Sequence, residues 1–244
     1  LNGNQTGALI VNYLFSKMDE DGTIPEKSVI IKTIVTSELG AAIAEHYGAE
    51  VVNTLTGFKF IGEKIHEYED FGSVVKNFVI GYEESYGYLV GTHARDKDAV
   101  VSSLLVSEAA LYYKLKGMTL YDALMEIYAK FGYYKEALKS ITLKGIDGVE
   151  KIAEIMKSFR NDDIDSIAGV KVDRKLDYKE GIDGLPKADV LKFVLEDKSW
   201  IAIRPSGTEP KIKFYFGVCG DSNEASDNKI EALIRDIEDK IDSI

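Results

Sequence analysis

The sequence predicts an α/β chain in which a mixed, mainly parallel sheet with flanking helices is followed by a smaller α+β domain. Two features of the pattern carry that prediction. Strand-like and helix-like segments take turns through residues 29–131, the signature of βαβ units. Strands then gather between Val190 and Val218 with helical patterns on either side, and the change of habit falls around Gly132-Tyr133-Tyr134. These features divide the chain into residues 1–28 (a helix and a connector), 29–131 (the alternating domain) and 132–244 (the α+β domain).

Taken in order, residues 2–18 place Leu9, Ile10, Tyr13, Leu14 and Met18 at helical spacing, and a polar connector with Gly22 and Pro25 follows. Val29–Val35 is a β-branched run. Ser37–Tyr47 is a helix with Thr36 or Ser37 as its cap and Gly48 at its end. Glu50–Leu55 is a short strand, Lys59–Tyr68 a helix, and Phe78–Gly81 a third strand. Two amphipathic helices, Ala99–Leu115 and Thr119–Phe131, complete the domain. Beyond Gly132, Ile141–Leu143 has the look of a strand end. Val149–Phe159 is a helix with Val149, Ile152, Ile155, Met156 and Phe159 on one stripe. Strands follow at Gly169–Asp173, Val190–Leu195, Trp200–Ile203 and Ile212–Val218, and a last helix carries Ile230, Leu233, Ile234, Ile237 and Ile241 on one face.

The chain has 244 residues and a net charge of −11, from 41 acids against 30 bases. That balance argues against a general nucleic-acid or anionic-membrane binder, whose affinity rests on a broad basic surface, but leaves room for a small phosphorylated ligand in a local basic pocket. One cysteine, Cys219, permits no internal disulfide and fits a reduced, cytoplasmic setting. No apolar run is long enough to span a bilayer, and His46, His66 and His93 are scattered, without metal-ligand spacing.

The densest stretch of chemistry is Arg204-Pro205-Ser206-Gly207-Thr208-Glu209-Pro210-Lys211, held between two strand patterns. It combines a guanidinium fork, two hydroxyls, a second cation and a glycine that admits close backbone approach, all suited to an oxyanion. Residue types alone leave two readings open, a phosphate loop or an ordinary polar hairpin turn. The second dense stretch, Gly81-Tyr82-Glu83-Glu84-Ser85-Tyr86-Gly87 running on to His93-Ala94-Arg95-Asp96-Lys97-Asp98, follows the strand ending near Ile80, where such sheets present ligand loops. Its carboxylates and Ser85 could bond sugar hydroxyls. Equally, it could be a solvated charged loop with Asp96 or Asp98 capping the next helix.

RPSGTEPK between two strands resembles the phosphate-binding loop of the α-D-phosphohexomutase superfamily, the phosphoglucomutases and phosphomannomutases. GYEESYG resembles that superfamily's sugar-binding loop, and its two glutamates followed by Ser and an aromatic are most like the phosphoglucomutase branch. HARDKDA resembles the same branch, as does Leu55-Thr56-Gly57-Phe58-Lys59-Phe60, its Thr-Gly-aromatic-Lys segment. The resemblance covers essentially the whole chain: residues 1–28 as the tail of a second domain, 29–131 as a third, and 132–244 as a fourth with a TATA-binding-protein-like fold.

The resemblance implies an enzyme that moves a phosphoryl group between C1 and C6 of a hexose phosphate through an enzyme phosphoserine and a sugar bisphosphate. Arg204, Ser206, Gly207, Thr208 and Lys211 would hold phosphate. Glu83, Ser85, Thr56 and Gly57 would face the sugar, and Lys97 would assist proton transfer. Mg2+ and glucose 1,6-bisphosphate belong to the implied parent, as do the domains that supply the phosphoserine and the metal ligands. Neither loop has a counterpart here, because Asp162-Asp163-Ile164-Asp165 lies in the wrong domain and lacks the glycines. The chain also opens on Leu-Asn-Gly rather than Met, and is expected to be a piece of a longer protein that is inactive alone. Phosphomannomutase and phosphopentomutase activity, or a non-catalytic sugar-phosphate-binding module, stay open as alternatives.

Overall fold

A computed structural model describes residues 1–70, 76–143, 145–182, 184–207 and 209–244. The chain divides into two compact units, Leu1–Gly132 and Tyr133–Ile244.

The first unit opens with α1 (Gly3–Glu20), started by a reciprocal cap in which Asn2 and Gln5 each accept the other's backbone N–H at 2.9 Å. Then come β1 (Ser28–Thr33), α2 (Leu39–His46), β2 (Glu50–Thr54), α3 (Phe58–Asp70), β3 (Asn77–Glu83), β4 (Gly87–Val90), α4 (Ala99–Leu115) and α5 (Leu120–Phe131). The sheet order is β2-β1-β3-β4, with β1 parallel to both neighbours and β4 antiparallel on the edge. As the central parallel strand, β1 is buried along its whole length. Val29 and Ile31 face α3, packing with Phe58, Ile61 and Ile65. The opposite face carries α1 and α2, and Tyr82 marks it. The helix within residues 1–28, α1, packs inside this unit against α2, α4 and α5.

Tyr82, wholly buried on β3, is clasped between two glycines. A Cβ at Gly7 of α1 would lie 2.5 Å from Tyr82 Cδ2, and one at Gly40 of α2 would lie 2.0 Å from the phenol oxygen. Both helices approach the sheet this closely because neither residue has a side chain.

Two strands differ from the sequence pattern. The third strand runs to Glu83 rather than stopping at Gly81, and turns through residues 84–86 into β4. Four residues, Gly-Tyr-Leu-Val, are too few to show an alternation, so β4 escapes periodicity.

The second unit contains β5 (Tyr133–Thr142), α6 (Gly145–Asn161), β6 (Ser166–Ile167), β7 (Val170–Asp177), β8 (Leu191–Leu195), β9 (Trp200–Pro205), β10 (Lys211–Gly220) and α7 (Asn223–Asp242). Its strands are antiparallel in the order β5-β10-β9-β8-β7-β6, with α6 and α7 packed on one face, an α+β arrangement. Phe159 of α6 meets Phe193 and Phe214 edge to face, at centroid distances of 6.4 and 6.1 Å. The fifth strand spans ten residues, where the sequence shows only a strand end at Ile141. Its inward face alternates Lys135, Ala137, Lys139 and Ile141, and the two lysines are paired by Asp227 and Glu238 of α7. Charge on the core side hides the strand from a hydrophobicity pattern. Among the described residues no helix is long and apolar enough to cross a membrane.

Gly7→Ala tests the clasp on Tyr82. Alanine ordinarily gains about 1 kcal/mol over glycine inside a helix; here overpacking against a pinned ring is expected to lower stability by about 1–3 kcal/mol in urea unfolding. A variant as stable as the parent, or more so, would contradict the packing described.

Candidate functional site

Crossovers β1–α2–β2 and β2–α3–β3 leave their helices on opposite faces of the sheet, so the β1/β3 boundary is the point where the strand order reverses. In open α/β sheets that is where a crevice opens at the carboxyl ends of the strands. Three loops gather there: residues 34–38 after β1, residues 55–57 after β2, and the hairpin tip 84–86 after β3.

Alternation along β3 decides which way its last side chains point. Tyr82 faces α1 and α2, so Glu83 faces α3. There its Oε1 accepts the Gly57 N–H at 2.8 Å, and the residue is only 8% exposed. Gly57 has φ +122°, a conformation that glycine adopts without a Cβ penalty, and it turns its N–H toward the strand end as α3 begins. Thr56 beside it is half-buried. The Lys97 stem lies over Gly87, where a Cβ would sit 2.7 Å from Lys97 Cδ and 3.2 Å from Glu83 Oε2. Lys97 Nζ stands over the Phe58 ring, 5.4 Å from its centroid, and 3.5 Å from Asp96. Glu83, Gly57 and Lys97 are therefore brought together. Ser85 sits exposed at the hairpin tip, next to Tyr86, whose φ of +62° is uncommon for a non-glycine residue and marks a constrained turn.

The two adjacent glutamates part company. Glu84 turns toward the loop after β1, where its Oε2 accepts from Thr36 Oγ1 at 3.3 Å, with Thr33 Oγ1 at 3.5 Å. Beneath this network lies a residue that sequence reasoning missed, Lys32 on β1. It is fully buried, donates to Thr36 O at 3.2 Å and pairs with Glu38 at 3.0 Å. The signal was present as one cation inside the apolar run Val29-Ile30-Ile31-Lys32.

His93 serves the helix rather than the loop. It shares a 2.7 Å hydrogen bond with Asp98, which caps α4 by accepting from Val100 N and Val101 N at 2.9 and 3.1 Å. The hydrogen bond to His93, then the Val101 N–H, hold the Asp98 carboxyl below its usual value.

In the second unit the β9–β10 hairpin presents Arg204 on β9 opposite Lys213 on β10. The Ser206 N–H donates to Lys211 O and the Lys211 N–H to Glu209 O, both at 2.7 Å, which closes the loop. Thr208 lies outside the described residues. Lys211 is held by Glu209 at 3.1 Å, so part of its charge is answered within the loop. Arg204 makes no ion pair or side-chain hydrogen bond among the described residues. With Ser206 and Gly207 it lines a cavity of about 670 Å³ whose other walls include Ile152, Met156 and Asp189. Arg160 engages that aspartate at 2.7 Å. Asp162 is likewise taken up, by Ser158 at 2.7 Å and Lys240 at 3.1 Å. Among the described residues no group of three or more His, Cys, Asp or Glu is arranged to hold a metal ion.

Residues 2–131 match the family model described as phosphoglucomutase/phosphomannomutase, alpha/beta/alpha domain III, and residues 142–236 match the model of that family's C-terminal domain. A curated phosphoglucomutase of Staphylococcus aureus is 39% identical over 96% of this chain, and one of Staphylococcus saprophyticus is 40% identical over 89%. The chain spans 43% and 40% of the length of those two relatives. Among solved structures, the open form of the Paramecium phosphoprotein parafusin, a phosphoglucomutase, matches 98% of this chain and 41% of its own with a TM-score of 0.67 at 22% identity. A phosphoglucomutase/phosphomannomutase family protein from Burkholderia thailandensis matches 97% of this chain and 42% of its own with a TM-score of 0.54 at 16% identity. These structural likenesses show the fold.

The cap geometry yields a pH prediction. Because the folded-state pKa of Asp98 is lowered, its contribution to stability is present above the ordinary carboxylate value of about 4 and is lost as pH falls below it. Replacing His93 with Ala should raise the Asp98 midpoint in a carboxyl-carbon NMR titration. An unchanged midpoint would mean that His93 does not hold the cap.

Proposed function

We propose, because this chain belongs to the phosphoglucomutase/phosphomannomutase family, that it is the substrate-binding C-terminal part of a hexose-phosphate mutase. The parent interconverts hexose 1-phosphate and hexose 6-phosphate through an enzyme phosphoserine and a sugar bisphosphate, glucose 1,6-bisphosphate where the hexose is glucose. The observation that carries this reading is the cluster at the carboxyl end of the first unit's sheet. There one oxygen of Glu83 is fixed by Gly57 while the other lies beside Gly87 and the Lys97 stem.

A carboxylate oriented in this way accepts hydrogen bonds from two neighbouring sugar hydroxyls without first having to be ordered. Ser85 at the hairpin tip can donate to or accept from a further hydroxyl, and Thr56 and Gly57 line the same end of the sheet. Lys97 assists proton movement at the reacting oxygen, with Phe58 beneath its ammonium group. In the second unit Arg204 takes two phosphate oxygens in its fork, with Ser206, Gly207, Thr208 and Lys211 around it. Such chemistry asks chiefly for positioning and charge neutralisation.

In this reading the first unit, α1 included, forms the sugar-binding domain and the second unit the phosphate-binding domain. The phosphoserine and the metal loop lie in the parts of the family outside this chain, so the chain alone does not turn over. Mg2+ bound there supplies charge neutralisation for the transferring phosphoryl group. The pair Glu83-Glu84 and the naming of the curated relatives favour glucose over mannose or pentose, and a cytoplasmic metabolic role goes with that substrate.

Calorimetry tests the roles. Glucose 1-phosphate should bind the chain, and Arg204→Ala should weaken it at least tenfold, in keeping with the loss of charged hydrogen bonds worth about 1.5–3 kcal/mol. Equal binding by parent and variant would place the phosphate elsewhere and sink the assignment.

A further inference from the structure

Lys32 has no part in the chemistry above, yet it is buried to 0% exposure in the middle of the sheet. A buried ammonium is tolerated only when paired and hydrogen-bonded, and among the described residues both partners of Nζ come from the loop after its own strand. Nζ donates to Thr36 O at 3.2 Å and lies 3.0 Å from Glu38 Oε2. The loop is thereby drawn back over the end of β1.

From that loop a chain of hydroxyls leads on to the hairpin tip. Thr33 and Thr36 hydroxyls are 2.8 Å apart, and Thr36 stands 3.3 Å from Glu84 Oε2. Thr33 Oγ1 also lies 3.5 Å from that oxygen, so Thr36 donates to the carboxylate whether Thr33 gives its proton to Thr36 or to Glu84 directly. Glu84 is thus drawn to the loop after β1, while Glu83 beside it is held at the start of α3 by the Gly57 N–H. The tip that follows them, with Ser85 exposed and Tyr86 at φ +62°, is anchored to two different loops.

We infer that Lys32 is a positioning residue: through the loop after β1, Thr36 and Glu84, it fixes the hairpin tip that carries Glu83 and Ser85. The consequence for sugar binding rests on the function proposed above; the anchoring of the tip does not. It also separates the roles of the paired glutamates, Glu83 toward the ligand and Glu84 toward the scaffold.

The test uses the 244-residue chain and three substitutions. Lys32→Met keeps bulk and removes charge, Thr36→Val keeps shape and removes the hydroxyl, and Thr36→Ser keeps the hydroxyl. Amide hydrogen exchange is followed at residues 84–86 and in the middle of β3, alongside calorimetric affinity for glucose 1-phosphate. Lys32→Met and Thr36→Val should speed exchange at 84–86 about tenfold, the scale of one lost hydrogen bond, and leave the middle of β3 unchanged. Affinity should fall by a similar factor, and Thr36→Ser should match the parent in both readouts. If Lys32→Met does not fold, the Thr36 pair carries the test. Unaltered exchange at 84–86 in Thr36→Val would overturn the inference. So would loosening spread evenly along β3, or a Thr36→Ser variant as loose as Thr36→Val. A loosened tip with unaltered sugar-phosphate affinity would uphold the anchoring and count against the tip as the sugar site.

Discussion

The hydrogen bond from the Gly57 amide to Glu83 joins the turn that starts α3 to the last residue of β3, and much of the first unit is arranged to permit it. A carboxylate this deeply buried would be costly without a donor, and a loop amide pointed into the same space would be costly without an acceptor. Each satisfies the other. The bond requires that β3 continue to Glu83, that Gly57 adopt a positive φ, and that Gly87 leave room for the Lys97 stem. One oxygen is taken by the scaffold, and the other lies beside Gly87 and the lysine stem.

The rest of the first unit keeps that strand end in place. Tyr82, one residue earlier, fills the space between α1 and α2 that two glycines leave open, so β3 is pinned on the face opposite Glu83. Tyr88, its partner across the hairpin, donates from its hydroxyl to Gly3 O at 2.8 Å and ties β4 to the start of α1. A short hairpin is marginal by itself. Here it is held by a helix start and by two glutamates bonded to two different loops.

Electrostatics work differently in the second unit. A net charge of −11 would repel an anionic ligand at long range, so the phosphate role proposed for this unit depends on local geometry. Glu209 answers Lys211 inside the loop and Arg160 answers Asp189 on the cavity wall, which leaves Arg204 as the cation without a described partner beside Ser206 and Gly207. A guanidinium presented in this way suits paired oxygens better than a point charge does.

Much of this was legible in the sequence. Alternating elements pointed to the parallel sheet, and the motif stretches fell at strand ends, where turn residues and charge concentrate. What stayed hidden has physical causes. The edge strand β4 is too short for a period, and lysines on the core side of β5 defeat a hydrophobic one. The different partners of Glu83 and Glu84 follow from where β3 ends, which residue types do not reveal. Lys32 looks like a flaw in an apolar run until its loop partners are placed around it. The most direct measurement is NMR of the isotope-labelled chain during titration with glucose 1-phosphate. Shifts are expected at Thr56, Gly57, Glu83, Ser85 and Lys97 in the first unit and around Arg204 in the second. Shifts confined to the second unit, or falling elsewhere in the first, would contradict the proposed site.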